Sequence, residues 1–172
     1  MSQSNNIIII GFMGTGKTSV AKALVKISGY QLVDTDNLIE AGQNMPISQI
    51  FKQKGEPFFR SLETKVCRQL INSQDSVIST GGGIVIKEEN RSLLKQAGKT
   101  FLLTASPENI FERTNKSKHR PLLDVEDPIG KISKLLSERQ DYYQKAADYV
   151  IDTDELSVLE AAKKIWGLLL NI

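Results

Sequence analysis

Short apolar runs alternate with amphipathic stretches along this chain, and the alternation sets the expected fold. "NNIIII" (residues 5–10) is β-branched and uniformly apolar, the pattern of a strand buried on both faces. A helical stretch follows, from Lys17 to Ile27, and stops near Gly29. "YQLVDT" predicts a second strand, after which "DNLIEAGQ" and "ISQIFKQKG" predict short helices split by Pro46. "EPFFRSLETKVCRQLIN" carries Pro57 where a first helical turn tolerates it, with Leu62, Val66 and Leu70 at helical spacing. "DSVIST" predicts a third strand that runs into three glycines. "EENRSLLKQAG" predicts a helix stopped at Gly98, and "KTFLLTAS" a fourth strand. Ser106-Pro107-Glu108 is a helix start, with an N-cap serine, a proline at the first position and an early acid. "DPIGKISKLLSERQDYYQKAA" predicts a long helix and "DYVIDT" a fifth strand. Ser157-x-x-Glu160 has the form of a capping box ahead of a last helix.

Strand–helix alternation of this kind predicts a three-layer α/β domain built on a parallel sheet. No internal repeat or low-complexity linker interrupts residues 1–172, so one domain is expected.

Composition narrows the function classes. The net charge of +2 is too small to single out nucleic acid or a membrane surface as the main partner. One cysteine, Cys67, excludes a disulfide framework and a Cys-rich zinc site, and one histidine, His119, argues against a His-based metal centre. Cys67 is expected as a semi-buried small hydrophobe, Trp166 as a core residue and His119 as solvated. The opening "MSQSNNIIIIGFMG" lacks a basic n-region and its apolar run is four residues long, so neither a signal peptide nor a membrane span is expected. The expectation is a reduced, cytoplasmic protein.

The chemistry begins at "GFMGTGKT", Gly11 to Thr18, which satisfies G-x-x-x-x-G-K-[ST] between a strand and a helix. Glycines let successive N–H groups, including those of Gly14, Thr15, Gly16 and Ser19, turn toward phosphate oxygens, and the helix N-terminus adds partial positive charge. Lys17 is expected to reach the β/γ-phosphates and the Thr18 hydroxyl to ligate magnesium. The cradle fixes the donor and not the acceptor, since switches, motors and small-molecule kinases share it. A guanine-reading N-K-x-D element is lacking; "NKSK" at 115–118 has no acid in the last place.

Three further features point to an acceptor site. Asp34 and Asp36, read as the end of the second strand, would leave the same face at the carboxyl edge where open α/β sheets bind ligands. The plainer alternative is that Asp36 simply caps the helix that follows. "VISTGGGIV" ends the third strand at that edge, and three bare glycines admit close approach of a ligand, or simply make a turn. Arg113, Lys116, Lys118 and Arg120 place four cations in eight residues, a stretch that reads as a lid delivering arginine to a transferring phosphoryl group, or as a solvated loop. Arg60, flanked by Phe58, Phe59 and Leu62, is expected to lie partly against apolar surface.

In order and spacing, "GFMGTGKT", "DTD", "GEPFFRSLE", "STGGG", "RTNKSKHRPLL" and "ERQDYY" resemble shikimate kinase over essentially the whole chain. The resemblance implies ATP-dependent phosphorylation of the 3-hydroxyl of shikimate, in the pathway to chorismate and aromatic amino acids. It implies the five-stranded parallel sheet of nucleoside monophosphate kinases, order 2-3-1-4-5, with a lid near 113–124 and a substrate-binding helical region near 36–63. Lys17, Asp36 and Arg120 match catalytic positions. Asp36, Arg60, Arg139 and the turn Gly81, Gly82, Gly83 match substrate contacts, the two arginines clamping the carboxylate. Thr18 matches a magnesium ligand, with Asp34 and Ser79 acting through water. Arg113 matches the residue flanking adenine. This chain reads "DTDELS" where many members place a proline against the other adenine face. A monomer is expected. The rival readings are a gluconate-type kinase and a non-catalytic nucleotide-sensing module.

Overall fold

The protein, seen in a computed structural model that describes residues 5–115 and 126–171, is built around one five-stranded parallel sheet. Its strands are β1 (Ile7–Gly11), β2 (Gln31–Asp34), β3 (Ser76–Ser79), β4 (Lys99–Thr104) and β5 (Tyr149–Asp152), in the order β2-β3-β1-β4-β5. Helices α1 (Lys17–Ser28), α2 (Thr35–Gln43), α3 (Ile47–Leu70), α4 (Glu88–Ala97), α5 (Pro107–Asn115), α6 (Pro128–Ala146) and α7 (Val158–Leu170) connect and cover them.

β1 is central, and its isoleucines divide by parity. Ile8 and Ile10 join a core with Ile78, Leu102, Phe59, Leu94 and Ile132, on the face covered by α2 to α6. Ile7 and Ile9 join Val77, Phe101, Leu103 and Ile151 beneath α1 and α7. All four isoleucines are fully buried. That is why the run is apolar at every position, each side chain gaining roughly 2 kcal/mol from leaving water. The edge strands differ: Leu32 on β2 and Val150 on β5 remain exposed.

Parallel pairing sends every strand's carboxyl end to one edge. Ile9 is level with Ser79, and Asp34 with Ser79, so the segments after β1, β2 and β3 emerge side by side. Asn6 secures the opposite end of the sheet, donating to the Ser73 and Ala97 carbonyls and accepting from Ser76 N–H.

Local chemistry explains most boundaries. Gly29 ends α1 in the left-handed region, and Ser157 and Glu160 form the reciprocal capping box of α7. Asp127 caps α6 through Gly130 N–H, with Pro128 at its first position. The two helices expected around Gly55 form one element, α3, with a kink at that glycine (φ 81°, ψ 171°) and Pro57 in the turn beyond it. One turn of 3₁₀ helix at Ile84–Ile86, not expected from the sequence, follows the glycine run.

Two expectations need correction. Asp36 is not on the second strand: β2 ends at Asp34, and Thr35 and Asp36 open α2. Cys67 is fully buried rather than half-buried. Of the expected lid near 113–124, Arg113 to Asn115 belong to α5, while Arg120 and His119 lie outside the described residues.

Candidate active site

A cavity of about 930 Å³ opens at the carboxyl edge of the sheet. It is continuous from the G-x-x-x-x-G-K-T loop to the acidic pair, the glycine run and both candidate arginines.

At one end, the loop between β1 and α1 wraps the α1 N-terminus. Gly14 and Gly16 have φ of 78° and 92°, a backbone that a side-chain-bearing residue adopts only with strain. The Thr15 hydroxyl donates to the Phe12 carbonyl at 2.8 Å, and Lys17 Nζ donates to the same oxygen at 2.8 Å. Lys17, Thr18 and Ser19 line the cavity where the helix offers its unpaired N–H groups. Arg113 borders the same end. It donates from Nη1 to the Thr153 hydroxyl at 3.0 Å and from Nη2 to the Thr153 carbonyl at 2.8 Å. The Thr153 hydroxyl in turn donates to the Thr104 carbonyl at 2.8 Å. In the "DTDELS" segment, Leu156 lines the cavity and Asp154 accepts from Ser106 and Asn109 at the start of α5.

At the other end lie the carboxylates. Asp34 Oδ1 accepts from the N–H groups of Asp36 and Asn37, so the helix cap that Asp36 could have supplied belongs to Asp34. Both carboxylates still face one cavity, by strand end and helix start rather than by strand alternation. Burial, with the Asp34 charge adding to it, pushes the Asp36 carboxyl up to about 6, against the pull of Lys17 and Arg60. Thr35 points inward, and its hydroxyl accepts from Gly81 N–H at 3.0 Å, tying α2 to the glycine turn.

Two side chains press on the ends of the glycine run. A Cβ on Gly81 would sit 2.6 Å from Asp36 Oδ1, and one on Gly83 would overlap the Arg60 guanidinium. Gly82 packs on the first turn of the phosphate loop, with Gly11 O at 3.5 Å and Met13 N at 3.6 Å from the position of a Cβ. Its carbonyl accepts from the Tyr143 hydroxyl.

Arg60 is tightly held. Nη1 meets Glu63 Oε2 at 2.8 Å, Nη2 meets Glu56 Oε1 at 2.8 Å, and its guanidinium lies 5.5 Å from the Phe59 ring centre. Burial opposes its charge, but the two carboxylates outweigh that and raise its pKa. Burial likewise raises Glu63, with Arg60 pulling the other way. Arg139, on α6, lies over Phe12 at 5.7 Å and lines the same cavity as Arg60.

Comparison with known proteins decides the family. The family model described as shikimate kinase matches residues 13–169. The chain belongs to the shikimate kinase family. The shikimate kinase of Thermodesulfovibrio yellowstonii is 46% identical over 160 residues, covering 93% of this chain and 92% of that protein. The solved structure of shikimate kinase from Acinetobacter baumannii in complex with shikimate superimposes with a TM-score of 0.91 at 38% identity, covering 98% of this chain and 94% of the other. A gluconokinase from Sinorhizobium meliloti, at 15% identity and TM-score 0.58, covers 99% of this chain and 94% of its own, and shares the fold alone.

Within this shikimate kinase fold, Gly14, Thr15, Gly16, Lys17, Thr18, Ser19, Asp34, Asp36, Arg60, Ser79, Gly81, Gly82, Gly83, Arg113 and Arg139 all border the one cavity. Sequence reasoning missed Glu63, Thr35, Thr153 and Tyr143. Glu63 had a signal, three residues after Arg60 on a helical pattern. The other three act across 40 to 61 residues of chain, and nothing local marks them.

Proposed function

We propose that this protein transfers the γ-phosphoryl group of ATP to the 3-hydroxyl of shikimate, giving shikimate 3-phosphate for chorismate and aromatic amino acid synthesis. The observation that carries this reading is the continuity of the cavity. One space brings the phosphate loop, a half-buried carboxylate and two arginines within reach of a single pair of substrates.

Phosphoryl transfer needs positioning and charge neutralisation more than covalent chemistry by the protein. The N–H groups at Gly14 to Ser19 and the ammonium of Lys17 hold the ATP phosphates. Arg113, fixed by Thr153, borders the base. Arg60 and Arg139 grip the shikimate carboxylate, a task suited to planar forks of donors. The glycine turn supports the ring, and Asp36 accepts a hydrogen bond from the attacking hydroxyl and takes up its proton. A carboxylate raised to about 6 is a competent acceptor near neutral pH and is ionised there. Arg120 is the candidate for the arginine that neutralises charge on the transferring group.

The donor set suits magnesium, a hard ion that prefers oxygen and keeps several waters. The Thr18 hydroxyl would ligate it, with Asp34 and Ser79 holding its waters. Magnesium would supply positive charge against the phosphate oxygens. A monomer in the cytoplasm, without nucleic acid or membrane partners, completes the reading. Among the described residues no helix is long and apolar enough to cross a membrane.

The test is ATP consumption with shikimate and gluconate side by side, with and without magnesium. Turnover with shikimate, lost without magnesium, is expected. Turnover with gluconate alone would replace the acceptor. Tight nucleotide binding without turnover on either acid would leave a sensing module.

A further inference from the structure

Tyr143 lies on α6 one turn after Arg139, and its ring is almost completely buried in the core beneath the cavity. Its hydroxyl crosses to another element and donates to the Gly82 carbonyl at 2.5 Å, 61 residues away in sequence. Apolar burial alone would be served by phenylalanine; a phenol here has a polar task. Burial raises its pKa to about 12, while the neighbouring Arg139 opposes that rise through its charge and a hydrogen bond, so the hydroxyl keeps its proton and remains a donor.

The partner it chooses matters. Gly82 is the middle of the turn whose other two glycines abut Asp36 and Arg60. Arg60 carries its own supports, Glu56 and Glu63, on α3. Arg139 has no carboxylate within ion-pair distance among the described residues; its guanidinium lies over the face of the Phe12 ring and hydrogen-bonds the Tyr143 hydroxyl. The position of Arg139 therefore depends on where α6 sits. The Tyr143–Gly82 bond fixes α6 to the turn from which Asp36 and Arg60 are also spaced.

We propose that Tyr143 is a positioning residue for substrate recognition: through its hydroxyl on the Gly82 carbonyl it sets Arg139 at the spacing from Arg60 that one carboxylate can bridge. This rests on the shikimate kinase reading above. Tyr143 touches no reacting atom. Its effect passes through Arg139, so it acts on the carboxylate-bearing acceptor and not on ATP.

Tyr143→Phe keeps the buried ring and removes the hydroxyl alone. In steady-state kinetics it should raise KM for shikimate about threefold to tenfold, the range one lost hydrogen bond supports, and leave KM for ATP within about twofold. In an Arg139→Ala background the same substitution should add less than about 1.5-fold, because the residue it serves is gone. A crystal structure of Tyr143→Phe should show the Arg139 guanidinium displaced from its place over Phe12. An undisplaced Arg139, equal losses for both substrates, a full effect in the Arg139→Ala background, or a variant that cannot fold would each reduce Tyr143 to a packing residue and overturn the proposal. Failure of the wild type to phosphorylate shikimate would instead remove the functional reading. The displacement of Arg139 would then decide the role of Tyr143 without reference to turnover.

Discussion

Asp36 holds a proton more tightly than an ordinary aspartate because burial and Asp34 both act against its charge. Only the ionised form can accept the hydroxyl proton. The kcat/KM for shikimate should therefore fall about tenfold per pH unit below about 6, measured in a buffer series at saturating ATP. Asp34→Asn removes the repulsion while an asparagine still caps α2, so it should move this acid limb to lower pH. An unmoved limb would mean that Asp34 does not set the basicity of its neighbour. Asp36→Asn should cut turnover at least about 100-fold, the usual worth of a general base. At this scale the sequence was informative about identity and misleading about cause. "DTD" marked two carboxylates that do border the cavity, but a strand's alternation was the wrong reason for their shared direction. The chain turns into a helix at Thr35, whose hydroxyl is needed by Gly81 N–H, a partner 46 residues away.

Among the elements, the three consecutive glycines are not equivalent, although the sequence gives them one letter. Gly83 faces Arg60, Gly81 faces Asp36, and Gly82 has only ordinary contacts around the position of a Cβ. Gly82→Ala should thus retain KM for shikimate within about twofold. Gly83→Ala should raise it tenfold or more, because Arg60 is pinned by two carboxylates and yields only by breaking an ion pair. Equal effects of the two substitutions would show that the run serves as a plain turn. Strands, caps and most helix ends were readable locally, since apolar parity, proline and capping residues act over a few positions. The kink at Gly55 was also local, and its two halves were expected separately. The 3₁₀ turn at Ile84–Ile86 was not, because it exists to seat Ile84 and Val85 in a core formed by distant elements.

For the whole molecule, an active site that raises a carboxyl's pKa stores a cost in the fold. A raised acid binds its proton more tightly when folded, so stability falls as pH rises from about 4 through about 6. Asp36→Asn lacks the charge. Allowing for the partial exposure of Asp36, the variant should be more stable than the parent at pH 7 by on the order of 1–2 kcal/mol. That corresponds to a Tm higher by roughly 2–6 °C for a chain of this size. The gain should vanish at pH 4. Calorimetry at the two pH values decides it, and an equal Tm difference at both would reject the stored cost. The strand order followed from family resemblance rather than from pattern, since periodicity identifies strands but does not say which are neighbours. Once β1 is central, its loop necessarily opens beside those of β3 and β4, and the cavity follows from topology.

The double pairing of Arg60 has one more consequence. A guanidinium already held by Glu56 and Glu63 would meet an arriving carboxylate, in the proposed reading, with the N–H groups those two leave over and with its charge partly neutralised. In the same reading, Arg139, which has no carboxylate partner among the described residues, would then supply the larger share of the charge that draws the acceptor in. The phosphorylated product carries the same carboxylate and adds negative charge near Asp34 and Asp36. It meets the same pre-engaged arginine when it leaves. In that reading an arginine already accompanied would hold the product less firmly than a bare one, which favours release over capture.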